Sequence, residues 1–171
     1  MKDKAHQRSP DRDGVDAYHK GDYAVALEML DGPARRGNAL AQVILGLMYY
    51  DGAGVSQNHA VAARWLQLAI DFGDRSGIAE AMLGNIEAAA RARSRAERGD
   101  ASSMRSLAFG YACGFGLPRS PELAYFWLRL AILNGCEQSS SLLATAKAKL
   151  SAEQVEEADR AAMQWRPEIC H

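Results

Sequence analysis

The sequence predicts an all-α fold assembled from repeated helical hairpins, and three observations carry that prediction. No run alternates polar residues with aromatic or β-branched ones, as a half-buried strand requires. Apolar residues recur instead at i, i+4 and i+8 between glycine-bearing turns, one face of a 3.6-residue period. The chain also repeats itself. Laid over each other at a constant offset of 62, Gly37–Gly73 and Gly99–Gly135 are identical at 13 of 37 positions, most of them small residues, aromatics and paired glycines.

About nine helices follow when the elements are taken in order. Residues 1–12 read as a polar, mobile arm. Residues 14–36 hold a short hairpin around Gly21-Asp22 that opens the stack. In the repeat 37–73, a first helix over about 39–50 carries Ala41, Leu45 and Tyr49 on one face, and Gly46 permits close approach. Gly52 and Gly54 end it, because glycine takes left-handed conformations that other residues resist. A second helix begins after Asn58, carries Trp65, Leu66, Ala69 and Ile70, and stops near Gly73.

Residues 74–98 are rich in Ala and Arg and have no Gly-x-Gly turn, which suggests a worn, shortened repeat. The repeat 99–135 restores the pattern with Leu107, Tyr111, Gly114, Gly116, Trp127, Ala131 and Gly135. Its second helix has a capping hydroxyl at Ser120, then Pro121 and Glu122 in the first turn. Residues 136–166 form a helical cap, with a capping-box pattern from Ser151 to Gln154, and 167–171 a tail.

The run Leu45-Gly46-Leu47-Met48-Tyr49-Tyr50-Asp51-Gly52-Ala53-Gly54, followed by Trp65, Ala69 and Gly73, resembles the Sel1-like repeat, a relative of the tetratricopeptide repeat. Leu107 through Gly116, with Trp127, Ala131 and Gly135, resembles it again; Ala108 and Gly110 depart from it where Gly46 and Met48 stand. The resemblance implies a right-handed α-α superhelix that binds other proteins without catalysis, often in bacterial signalling, envelope or secretion systems. The family's cysteine-rich members pair two cysteines within a repeat, a spacing that Cys113 and Cys136 do not match.

Composition bounds the function. The 171 residues carry 20 basic and 21 acidic side chains, a net charge of -1, so no strong field attracts nucleic acid or anionic lipid. No stretch approaches the ~20 apolar residues of a membrane span, and the start lacks the apolar core of a secretory signal. The chain as written reads as cytoplasmic, or as periplasmic or secreted if a leader is removed.

The candidate partner surface is a second stripe on the first helices: Leu40, Ile44, Leu47 and Asp51, with Ser102, Ser106 and Phe109 (then Cys113) at the equivalent positions. It is either an exposed groove for a protein or peptide or a contact with the neighbouring hairpin. Arg91, Arg95 and Arg98 share a helix face, with Arg93 to one side. The i, i+4 spacings Glu87–Arg91 and Arg93–Glu97 favour ion pairs over an anion or nucleic-acid stripe. His6, His19, His59 and His171 are too scattered for a metal, and Cys170-His171 at the chain end makes a poor catalytic pair. No catalytic residue, metal or cofactor is expected, and an enzyme or binder of cell-wall fragments is the alternative. Trp65, Trp127 and Trp165, with Tyr49 and Tyr111, read as core.

Overall fold

The computed structural model describes residues 10–167, and among these it has nine α-helices and no strand. The packing divides into two compact units that meet in sequence between Gly84 and Asn85.

The first unit contains α1 (Pro10–Lys20), α2 (Tyr23–Arg35), α3 (Ala39–Asp51) and α4 (His59–Asp71). Helix α1 already starts at Pro10, so residues 10–12 are helical and the expected arm is shorter at this end; residues 1–9 lie outside the described residues. The reason is a polar clasp. Asn38 caps α3 by accepting from the Ala41 N–H at 2.9 Å, and its Nδ2 donates to Asp11 at 2.9 Å. Two glycines set helix spacing: a Cβ at Gly14 would come within 2.8 Å of Leu30, and one at Gly46 within 2.7 Å of Leu66. Ala17, Ala26, Leu30, Ile44, Leu45 and Met48 form the core. Buried among them, Gln42 donates to the Ala34 carbonyl at 2.8 Å.

Where a worn repeat was expected over 74–98, the chain forms one helix of 20 residues, α5 (Ile78–Glu97). Strong helix formers, chiefly Ala and Arg, carry it through without a turn.

The second unit contains α6 (Ala101–Cys113), α7 (Pro121–Leu133), a short 3-10 turn (Glu137–Ser139), α8 (Ser140–Lys147) and α9 (Ala152–Gln164). Met104, Leu107, Tyr111, Trp127, Leu128 and Leu130 are buried in its core. The α6–α7 turn must contain glycine: Gly116 has φ 65°, and a Cβ there would strike the Asn85 carbonyl of α5. Helix α9 is held to α7 by Asp159, which accepts from Arg129 at 2.9 Å and from the Tyr125 hydroxyl at 3.1 Å. The expected capping box at Ser151–Gln154 is present.

Within each repeat the local bonding is the same. The side chains of Asn38 and Asp100 cap the first helices, and those of Asn58 and Ser120 cap the second. The Asn58 N–H donates to the Tyr49 carbonyl at 2.8 Å, and the Ser120 N–H to that of Tyr111 at 3.0 Å. Past left-handed Gly73 and Gly135, Asp74 and Cys136 bond back to Ala69 and Ala131, each at 2.8 Å. Trp65 and Trp127 occupy matching places in their hairpins, but Trp127 is buried and Trp65 half-buried. Tyr111 is buried as expected, whereas Tyr49 and Trp165 are only half-buried. No described helix is long and apolar enough to cross a membrane.

Candidate functional site

The stripe read from the first helices divides in two ways. In α3, Leu40 is 56% exposed, Leu47 half-buried and Asp51 exposed, but Ile44 is only 4% exposed. Ile44 belongs to the core with Leu30 and Ala34 because α2 packs against that side of α3, so it is not part of an open stripe. In α6 the corresponding positions stay open: Ser102, Ser106 and Cys113 are exposed, and Phe109 is 50% exposed.

Phe109 pairs with Phe115 from the α6–α7 turn, ring centroids 5.8 Å apart, and Phe115 is also exposed. Beside Phe109 opens a pocket of about 230 Å³ between α6, α7 and α8. Its walls are Ala108, Ala112, Pro121, Ala124, Leu128, Leu142 and Ala146, with Arg119, Thr145 and Lys149 as the polar members. A shallower depression lined by Arg105, Ser106, Phe109 and Leu142 shares two of these residues. Arg105, Arg119 and Lys149 form no ion pair among the described residues. The arrangement is an apolar recess with a cationic edge, suited to contact rather than to proton transfer.

Sequence reasoning placed Ser106 and Phe109 here but missed Ala112, Arg119, Pro121, Leu142 and Lys149. A signal existed in the places where the two copies disagree. The first repeat has Tyr50 and His59 where the second has Ala112 and Pro121. Tyr50 is buried, and its ring meets that of His59 at 4.9 Å. Both Gln57, at 2.8 Å, and His59, at 3.2 Å, bond the Tyr50 carbonyl. Burial holds the His59 imidazole below its ordinary pKa, against smaller upward pulls from the Tyr50 carbonyl and Asp51. Partial burial likewise pushes the Asp51 carboxyl up, opposed by His59. The Tyr18 hydroxyl is raised by burial first and by Asp51 second.

Arg91 of α5 and Arg98, just beyond its end, are engaged locally. Arg91 pairs with Glu87 at 3.3 Å, as its spacing suggested, and Arg98 donates to Ser94 at 2.7 Å. Arg93 bonds the Tyr111 hydroxyl on α6 instead of forming the expected pair with Glu97. The tertiary partner orders the guanidinium beside a buried ring, which an exposed i, i+4 pair does not. Cys113 and Cys136 are free thiols, and no group of three or more His, Cys, Asp or Glu among the described residues could hold a metal. His6, Cys170 and His171 lie outside the described residues.

Helical hairpins with matched caps, matched turns and an open apolar recess define the class: an all-α repeat protein of the tetratricopeptide-like kind. The Sel1 repeat model matches residues 39–74 and 101–136, so the chain carries two Sel1 repeats. Sel1 repeats indicate a protein-interaction scaffold, and proteins built from them are generally non-enzymatic. A solved structure similar to this chain is a protective antigen present in uropathogenic Escherichia coli strains, displaying an SLR fold. The two are 22% identical with a TM-score of 0.45, over 91% of this chain and 44% of that one. This chain thus spans less than half the length of that antigen. Among curated proteins none matches the chain significantly.

Proposed function

We propose that this chain is a non-enzymatic docking scaffold that captures a protein or peptide on the open face of α6, through Ser102, Ser106 and Phe109. Leu40, Leu47 and Asp51 on α3 offer a second contact area. The family's setting supports a bacterial regulatory, envelope or secretion-related system. The observation that carries the reading is the exposed apolar cluster of Phe109, Phe115 and Leu142, 50%, 51% and 41% exposed, beside a pocket. Contiguous exposed apolar surface of this kind marks contact sites in soluble proteins.

The test is affinity capture from the native cell with the wild type, Phe109→Asp and Leu40→Asp, each checked by circular dichroism. Phe109→Asp loses the captured partner at unchanged helicity, and Leu40→Asp weakens it less. Retention of every partner by both folded variants would overturn the reading.

A further inference from the structure

We propose that the pocket between α6, α7 and α8 is the specificity pocket of this scaffold, and that it receives one large apolar side chain from an acidic peptide segment of the partner. This rests on the docking reading above and names the chemistry that the surface selects.

The first argument is bulk. At the register positions that line this pocket, the first repeat carries Tyr50 and His59, rings in contact, and the second carries Ala112 and Pro121. The backbone bonds that set the two hairpins are the same, so the room on the α6–α7 side comes from smaller side chains at two positions, while α8 supplies the opposite wall. Glycine does not make the space; Ala108 stands where the first repeat has Gly46.

The second argument is size. Pockets that enclose small-molecule ligands run to roughly 300–1,000 Å³. A cavity of about 230 Å³ is smaller. It suits a single leucine, phenylalanine or methionine side chain whose backbone stays outside, against the half-exposed Phe109 and Leu142. A long alkyl chain would extend beyond it.

The third argument is charge. Arg119 and Lys149 line the pocket and Arg105 lines the adjoining depression, with no carboxylate among the residues lining either. The nearby Glu122 carboxylate is turned to the Ser120 hydroxyl at 3.1 Å and to Gln154 at 2.9 Å. In a chain with a net charge of -1, three cations without ion-pair partners among the described residues, around one apolar recess and its adjoining depression, complement flanking Asp or Glu on the incoming segment.

The experiment pans a phage-displayed library of random peptides against the full chain. Enriched peptides are then measured by fluorescence anisotropy on the wild type and three variants: Ala112→Tyr, which restores the first repeat's bulk; Leu142→Asp, on the exposed side of α8; and Arg119→Glu with Lys149→Glu. Enriched sequences carry one large apolar residue flanked by acids, and each variant weakens them by about tenfold or more. Added salt weakens them too. If Ala112→Tyr fails to fold, Leu142→Asp decides the point. Peptides that bind all variants like the wild type overturn the pocket but leave docking elsewhere on the scaffold. Enriched peptides without acids, or dodecanoate binding that the peptides cannot displace, overturn the assignment of an acidic segment. No enrichment, together with no partner in the cell capture, removes both readings.

Discussion

In the first repeat Tyr50 and His59 meet ring to ring at 4.9 Å; at the same register positions in the second repeat stand Ala112 and Pro121, and a pocket of about 230 Å³ is open. Similarly, Ile44 of α3 lies under α2, while Ser106, its counterpart on α6, faces solvent. The backbone scaffolding is nearly shared: caps at Asn38 and Asp100, turn bonds from Asn58 and Ser120, left-handed glycines closing both hairpins. The comparison teaches that a repeat's signature residues keep the hairpin, while the residues between them, together with the element packed opposite, decide whether its cleft is filled or open.

The largest expected effect breaks the comparison at Ile44. Ile44→Asp places a carboxylate in the core and destabilises the chain by about 5 kcal/mol, whereas Ser106→Asp changes stability by less than about 0.5 kcal/mol. Urea unfolding followed by circular dichroism reads both, and equal effects would show that the two positions are equally exposed. Next come the tryptophans. Trp127→Ala, removing a buried ring packed edge-on against Trp165 at 6.5 Å, costs about 4 kcal/mol, and Trp65→Ala about 2 kcal/mol because that ring is half-exposed. A larger loss from Trp65 would reverse the order of burial.

Removing the plug comes third. Tyr50→Ala costs about 3 kcal/mol in thermal or urea melts, because it empties the space that the buried ring fills beside His59. A cost below about 1 kcal/mol would mean that Tyr50 is not a structural filler. The smallest effect is a pH dependence at His59. Its pKa is depressed in the folded chain, so the unfolded chain binds the proton first. The stability it contributes is intact above about pH 6.5 and falls as the pH drops toward the folded value. Asp51, raised, acts in the opposite sense lower on the scale: ionising it costs stability, which is regained as the carboxyl protonates. His59→Gln therefore flattens the decline in urea midpoint between about pH 7 and 5.5; an unchanged slope would assign the decline to other groups.

Much of the fold was legible because its determinants are local. Gly52 and Gly114 stop their helices in left-handed conformations, at φ 75° and 82°, and Ser151–Gln154 closes its capping box from neighbouring residues alone. The candidate site was legible only in part. Phe109 stood out as an apolar residue on the polar side of α6, yet the pocket beside it needs Leu142 and Lys149, more than thirty residues further along the chain. Ile44 looked equivalent to Leu40 from helical periodicity, which does not reveal that α2 covers one and leaves the other open. Arg93 looked committed to Glu97 because i, i+4 spacing is visible in a sequence and the distant Tyr111 hydroxyl is not.

By itself the sequence determined the helices, their caps and glycine stops, and the twofold recurrence of one hairpin, since each depends on backbone freedom and hydrogen bonds closed within a few residues. Tertiary structure alone decided which helix faces were covered and that α8 walls a pocket against Ala112 and Pro121. Burial is a relation between segments far apart in the chain, and side-chain volume becomes a cavity only when a second element stands opposite it.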